Sequence, residues 1–280
     1  MPQLLARAQA PWALRLLPPF PAVAQRVLAL VANEEVPITE LGDLVKMDPS
    51  FSAELLRFAN SALFGVRHEV KSVSHAVLLM GLDRVKTMAT LVAVNRMVRS
   101  SIRLAALRKV WTHSLATALI AEEAARASRV APDAAYTAGL LHNLGTLGLM
   151  SAYPEEYTRM LEVKEDFGFD LLQTEKDLFD INHALAGCYL AQDWDFPDEL
   201  AAAIAVHHED PVPGEASLDN VIKVSWRLAD VLGYVAFTPE KPWSYDELVG
   251  CLPNPSAFAR GKSQQEFEAL IDSRIAAVPI

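Results

Sequence analysis

Apolar residues recur at three- and four-residue spacing along almost the whole chain, and this periodicity restricts the fold more than any other feature. One helical stripe between positions 104 and 119 consists of Leu104, Leu107, Trp111, Leu115 and Leu119. β-Branched residues nowhere alternate with polar residues over the length of a strand. The sequence therefore predicts an all-α protein.

The same periodicity, together with capping signals, predicts where individual helices begin and end. Ser244 and Glu247 have the spacing of a capping box at the start of a C-terminal helix. A further helix begins at 133 and contains His142 and Asn143. The other predicted helices are 21–33, 38–47, 49–61, 72–80, 83–99, 103–128, 154–165, 170–178, 183–194, 198–207 and 218–234.

We expect two packed helical lobes, because the long helix over 103–128 has no glycine or proline that would mark a flexible linker. The predicted segments are an N-terminal extension (1–16), an N-terminal helical lobe (17–102), a second lobe that forms a histidine-bearing bundle (103–236) and a C-terminal helical tail (237–280).

The formal net charge of −10 is unevenly distributed. Positions 67–109 carry nine basic residues and two acidic ones. This segment is either a solvated face or a surface for an acidic partner. Because aromatic residues are scarce in it, nucleic acid is disfavoured as the partner. The candidate anion or partner surface consists of Arg84, Lys86, Arg96, Arg99 and Arg103.

The apolar runs and the cysteines of the sequence indicate the cellular compartment of the protein. No apolar run approaches the roughly 20 residues that would cross a bilayer, and the first 20 residues lack the pattern of a signal peptide. Cys188 and Cys251 form no metal-binding or redox spacing, so we expect them to be buried thiols in a reducing compartment. The sequence therefore predicts a cytoplasmic protein without membrane contact.

Five of the seven histidines fall in the second lobe, in stretches rich in small and apolar residues. A single histidine on an apolar face is usually a hydrogen-bonded core residue. Several in one lobe, with an aspartate in an otherwise apolar helix, favour convergence on one site, because each would otherwise need its own buried partner. Imidazole and carboxylate ligands suit Mn, Fe, Ni or Zn. The residues concerned are His113, His142, His183, His207, His208 and Asp230.

Several motifs carry a family resemblance. WTHSLATA before AGLLHNLG, with a later HH and Asp, resembles the HD superfamily of metal-dependent phosphohydrolases. LPPFPAVAQRVLALV, ITELGDLVKMDPSFSAELLRFANSALFG and SVSHAVLLMGLDRVKTMA are similar to the HDOD (HD-related output) domain of bacterial signalling proteins. The resemblance extends from about Leu17 to about Tyr234 and implies an HD-like helical bundle in the second lobe.

The resemblance places the metal-binding positions of HD enzymes at His113, His142, position 143 and Asp230. Position 143 is Asn143 where these enzymes have aspartate, and Thr146 stands where many have a phosphate-facing lysine. His183, His207 and His208 resemble the additional ligands of the HD-GYP subgroup, which cleaves cyclic di-GMP. We therefore predict a remnant pocket in which the Asn143 side chain pairs with neighbours such as His113 or Asp230.

Three interpretations of this pocket stay open: a remnant filled by hydrogen bonds, water or a weakly held ion, a metal or nucleotide site without turnover, and a working hydrolase. We expect no cofactor and no catalytic residues, with Mn, Fe or Mg as the alternative and His113, His142 and Asp230 as weak candidate ligands. The predicted function is a non-enzymatic bacterial signalling module that binds a signalling protein or a nucleotide second messenger. The alternative is a divergent metal-dependent phosphohydrolase.

Overall fold

The computed structural model describes residues 11–17, 37–47, 49–60, 70–81, 84–85, 88–89, 105–194, 196–237 and 242–276. All regular elements among these residues are helices, which confirms the all-α prediction. They are α1 (Trp12–Arg15), α2 (Ile38–Lys46), α3 (Pro49–Ala59), α4 (Val73–Met80), α5 (Ala105–Ser128), α6 (Pro132–Leu141), α7 (Leu144–Ala152), α8 (Pro154–Phe167), α9 (Leu171–Phe179), α10 (His183–Asp193), α11 (Asp198–Val206), α12 (Leu218–Val231), α13 (Tyr245–Gly250), a 3-10 helix (Pro255–Gly261) and α14 (Gln264–Ala276).

The chain forms two compact units, one of residues 1–17 and 101–271 and the other of residues 18–100 and 272–280. The boundaries that the sequence suggests for the lobes stay predictions. In the second unit α2, α3 and α4 pack on one another around Leu41, Val45 and Leu55, whose side chains are fully buried.

Part of the predicted basic surface lies beyond the described residues. Arg84 is exposed in the second unit, whereas Lys86, Arg96, Arg99 and Arg103 fall outside the residues that the structure describes, as do the predicted helix 21–33 and most of 83–99. The basic surface therefore stays a prediction. No helix in the described ranges is both long and apolar enough to cross a membrane.

The first unit is built around the 24-residue helix α5, which packs against α6 and α12. A second group of contacts joins α10 to α7 and α11. Most of the α5 side that meets these partners is alanine, leucine and threonine, and it is buried. Because most of these side chains are small, the helices approach closely. His142 follows the last residue of α6, and His207 follows the last residue of α11.

Helices α7 and α10 meet at two glycines, Gly145 and Gly187. A Cβ atom at position 145 would lie 1.8 Å from the carbonyl oxygen of His183, so only glycine fits there. Because this contact is between backbones, it fixes the start of α10 beside the turn that carries His142 and Asn143.

The helix predicted from 133 through His142 and Asn143 is wrong in one respect. Helix α6 ends at Leu141 and α7 begins at Leu144, so His142 and Asn143 form the turn between them. The break at His142 coincides with no proline or αL glycine, and the apolar periodicity runs through it, so the pattern does not reveal it. Helix α11 ends at Val206, one residue before its predicted end, which leaves His207 and His208 beyond its last residue. The end of α11, by contrast, is followed by the polar run His207–Asp210 and is predicted to within one residue.

Candidate functional site

Seven of the eight residues predicted for the pocket line one cavity of about 430 Å³. They project from α5, from the α6–α7 turn, from the start of α10, from the end of α11 and from α12. A volume of this size is within the range of small-molecule sites, roughly 300–1,000 Å³. The seven are His113, His142, Asn143, His183, His207, His208 and Asp230, and other lining residues include Lys164, Trp226, Arg227 and Trp243.

The five imidazoles form one continuous cluster. Ring centroids lie 5.3 Å apart for His113 and His142, 5.1 Å for His142 and His207, 4.3 Å for His207 and His208, and 4.8 Å for His183 and His208. Nδ1 of His113 lies 3.4 Å from Oδ1 of Asp230. The expected meeting of His113 with both His142 and Asp230 is therefore confirmed.

Four of these histidines are held in the same way, through Nδ1. The acceptors of these bonds are carbonyl or carboxylate oxygens, so Nδ1 must carry the proton and Nε2 is left with its lone pair. Metal-ligating histidines are typically oriented by such bonds. The bonds run from His113 to the Tyr234 carbonyl (2.6 Å), from His142 to the Gly139 carbonyl (2.6 Å), from His183 to the Glu175 carboxylate (2.7 Å) and from His207 to the Ile204 carbonyl (2.7 Å).

His183, His207 and His208 form the best-placed set of cation ligands among the described residues. Their candidate ligand atoms lie within 4.8 Å of one another. Nε2 of His207 is buried and has no hydrogen-bond partner in the described part of the chain, and Nε2 of His183 lies 2.8 Å from Nε2 of His208. The donor set therefore fits a borderline cation such as Mn, Fe, Ni or Zn. It differs from the set that the sequence favours, His113, His142 and Asp230.

The amide of Asn143 is buried and donates from Nδ2 to the hydroxyl of Ser114 at 3.3 Å. Asn143 therefore pairs with a neighbour, as expected, but the partner is Ser114 and not His113 or Asp230, because Ser114 follows His113 on α5 and presents its hydroxyl to the α6–α7 turn. Asn143 thus contributes no negative charge at the position where HD enzymes have a carboxylate.

Burial controls the charge of the cavity. Loss of hydration lowers the pKa of His113 to about 4, although its bond to the Tyr234 carbonyl opposes the change. The pKa values of His142, His207 and His208 are lowered well below the usual value by burial first and by neighbouring imidazoles second. Burial raises the pKa of Asp230 to about 8, against the opposing effect of Arg227. The imidazoles of His113, His142, His207 and His208 are therefore neutral near pH 7, which is the form that binds cations.

A second layer of polar residues lies behind His183. The fully buried Glu175 carboxylate accepts from the backbone N–H of His183 (2.8 Å), from His183 Nδ1 (2.7 Å) and from the Tyr157 hydroxyl. Thr146 is also fully buried, and its hydroxyl lies beside that of Tyr157. Thr146 is absent from the described lining of the cavity, so its predicted place in the pocket is wrong: it belongs to the layer behind His183.

The turn that carries His207 and His208 is held from α12. The guanidinium of Arg227 donates to the carbonyls of Lys223 (2.9 Å) and His208 (2.8 Å), lies 3.5 Å from the Asp210 carboxylate and stacks on the Trp226 ring. The Trp226 indole N–H donates to the His207 carbonyl. These contacts satisfy carbonyls at the end of α11, where a helix leaves its last four without partners.

Sequence reasoning missed Glu175, Lys164 and Arg227, although two of them leave a signal. Leu171, Glu175 and Phe179 are spaced by four residues and form the buried stripe of α9. Lys164 continues the buried stripe of α8 in the same manner, three residues after Leu161. A charged residue in an apolar stripe needs a partner inside the protein, which is a reason to expect it at a site.

This all-α fold, with five histidines gathered around one cavity, defines a protein of the HD-like class. The family model of the HDOD domain matches residues 17–210. The chain therefore belongs to the HDOD domain family.

Several solved structures share this fold. An HDOD domain protein of unknown function from Geobacter sulfurreducens superimposes with a TM-score of 0.74 at 24% identity, covering 94% of this chain and 91% of that one. A protein assigned as a phosphohydrolase from Shewanella amazonensis SB2B gives 0.70 at 22% identity, with coverage of 96% and 97%. A protein assigned to signal transduction from Marinobacter aquaeolei VT8 gives 0.72 at 25% identity, with coverage of 95% and 60%.

A curated relative is larger than this chain. An uncharacterised protein of Treponema pallidum (strain Nichols) is 27% identical over 197 residues, which is 70% of this chain and 38% of that protein.

Proposed function

We propose that the chain is a regulatory module of bacterial signal transduction that acts by binding a small nucleotide-type ligand in the histidine-lined cavity. The observation that carries the proposal is the common orientation of His113, His142, His183 and His207, whose Nδ1 atoms are fixed. The Nε2 atoms of His113, His142 and His207 are thereby available to a ligand, whereas Nε2 of His183 lies within hydrogen-bond distance of Nε2 of His208. The likeness to the Marinobacter aquaeolei VT8 protein assigned to signal transduction supports the regulatory role.

The amide of Asn143 supports binding without turnover. A carboxylate in this place would hold a cation and help to acidify its bound water, and a neutral amide does this less well. A cation held by His183, His207 and His208 would supply positive charge toward a phosphate group of the ligand. The neutral imidazoles would also accept hydrogen bonds from a ligand without any cation.

A second candidate function is a divergent metal-dependent phosphohydrolase that acts on a cyclic dinucleotide or nucleotide. The fixed Nδ1 atoms favour it, because an enzyme needs the same orientation of ligands as a binding protein. A protein partner, met on the basic segment 67–109, is a further form of the regulatory proposal. We place the protein in the cytoplasm because Cys188 and Cys251 are free, buried thiols.

Metal content and phosphodiesterase rate together separate the two functions. The wild-type protein and His142→Ala are purified without added metal, loaded with Mn²⁺ or Fe²⁺, and assayed with cyclic di-GMP and with a generic phosphodiester. Binding of ligand or metal without turnover supports the regulatory module. Metal-dependent turnover that is lost in His142→Ala supports the phosphohydrolase and overturns the non-enzymatic proposal.

A further inference from the structure

Lys164 lines the same cavity as the histidines, yet the sequence motifs give no reason to expect a lysine there. It lies in the last turn of α8, and only 4% of the residue is exposed. Its ammonium donates to the Phe169 carbonyl at 2.6 Å and lies 5.5 Å from the centre of the Phe169 ring. An ammonium has three donors, so one carbonyl leaves capacity for a ligand.

The acidic groups around the cavity have other partners. Asp230 lies against His113, Asp210 against Arg227, and Glu175 accepts from Tyr157 and His183. Among the side chains that the structure describes, no carboxylate forms an ion pair with Lys164. A buried charge is costly unless it is paired, so the ammonium of Lys164 favours an anion in the cavity.

Arg227 is a second cation in the lining of the cavity, but unlike Lys164 it pairs with a carboxylate among the described residues. Its guanidinium is already engaged by carbonyls of Lys223 and His208 and by the Asp210 carboxylate. Moving it toward a ligand would release the turn that carries His207 and His208. Lys164 can contact an anion without such a loss.

We propose that Lys164 is the residue that contacts the phosphate group of the ligand, in the role that the resemblance to HD enzymes assigns to position 146. The inference rests on the proposed binding function and names the ligand's chemistry: a phosphate-bearing molecule whose anionic group lies between Lys164 and the imidazoles. Trp226 and Trp243 line the same cavity and provide aromatic surface for the rest of the molecule.

Inorganic phosphate and AMP are suitable probes, and the emission of Trp226 and Trp243 reports binding. In Lys164→Gln the side chain stays polar but carries no charge, so we expect affinity for both probes to fall at least about tenfold. Lys164→Arg keeps the charge and should retain most of the affinity. The matched control is Lys176→Gln, which removes the same charge from an exposed position on α9 and should change affinity less than about twofold.

The possible outcomes separate this inference from the proposed function. Wild-type binding with equal affinity in Lys164→Gln and Lys176→Gln overturns the role of Lys164 and leaves the binding function intact. No response of the wild-type protein to either probe overturns the inference, and the binding function is then decided by its own test with cyclic di-GMP. If Lys164→Gln does not fold, the side-chain ¹⁵N resonance of Lys164 in the wild-type protein decides: a shift on adding phosphate supports the inference, and an unchanged resonance overturns it.

Discussion

At the scale of single residues, the cavity depends on groups that orient its histidines. Glu175 is the clearest case, because its carboxylate accepts from both the backbone N–H and Nδ1 of His183. A carboxylate behind an imidazole fixes the ring and raises its basicity as a ligand. The Glu175 carboxylate therefore holds the His183 ring in the orientation that turns Nε2 toward the cavity.

Replacing the Glu175 carboxylate by an amide tests this support. Glu175→Gln keeps an acceptor for His183 but loses the negative charge, so we expect affinity for Mn²⁺ or Ni²⁺ to fall roughly 10–100-fold, measured by isothermal titration calorimetry. Glu162→Gln, an exposed site on α8, is the control and should bind the metals as the wild-type protein does. Equal affinity in both variants would show that Glu175 has only a packing role.

Asn143 sets the charge next to His142. Asn143→Asp should strengthen cation binding, because it places a carboxylate beside the imidazole cluster, and should lower stability when no cation is present, because that carboxylate is buried. Thermal unfolding with and without Mn²⁺ measures both effects. Asn254→Asp, at an exposed site, adds the same charge elsewhere and should leave the response to Mn²⁺ unchanged. If Mn²⁺ raises the unfolding temperature of Asn143→Asp no more than that of Asn254→Asp, a carboxylate at position 143 does not strengthen cation binding.

At the scale of helices, the site depends on how closely α7 and α10 approach. Gly145→Ala would place a Cβ atom 1.8 Å from the His183 carbonyl and 2.4 Å from the Gly187 nitrogen. Both atoms belong to the backbone of α10, so the helices must move apart, at a cost of about 1–3 kcal/mol or more. Chemical denaturation should show this loss. In Gly250→Ala the added methyl meets no atom within 4 Å, and stability should stay the same or rise. Equal stabilities would refute the close contact.

The helices were predictable from sequence because their apolar stripes and capping residues are local signals, as the capping box of Ser244 and Glu247 illustrates. The gathering of the histidines was predictable from the cost of burying each one alone. The break at His142 was not, since the residues around it are as apolar as the helices on either side. Nor was the partner of Asn143, which depends on how the α6–α7 turn faces α5, or the place of Thr146, which depends on which face of α7 meets α8.

At the scale of the whole molecule, the buried imidazoles make stability depend on pH. The pKa values of His113, His142, His207 and His208 are lower in the folded protein than in the unfolded chain. As the pH falls below about 6.5, the unfolded chain binds protons first. The stability that these residues contribute is present above that pH and is lost toward pH 4. Asp230, whose pKa is raised to about 8, acts in the opposite direction, since its contribution is lost as the pH rises.

Four histidines outweigh one aspartate, so we expect the free energy of unfolding to decrease from pH 6.5 to 4.5. Each histidine contributes a slope of up to about 1.4 kcal/mol per pH unit. Urea denaturation across this range, followed by far-UV circular dichroism, measures it. His142→Leu removes one of these groups and should lower the slope by up to about 1.4 kcal/mol per pH unit. A flat profile would show that the cluster is not buried in neutral form.

The central claim is that the histidine-lined cavity binds a nucleotide-type ligand and leaves it intact. Equilibrium dialysis against labelled nucleotides, cyclic di-GMP among them, with and without Mn²⁺, followed by chromatography of the label, tests binding and turnover in one measurement. We expect the protein to retain at least one nucleotide and the recovered label to be unchanged. No retention of any nucleotide, or recovery of the label as hydrolysed product, would contradict it.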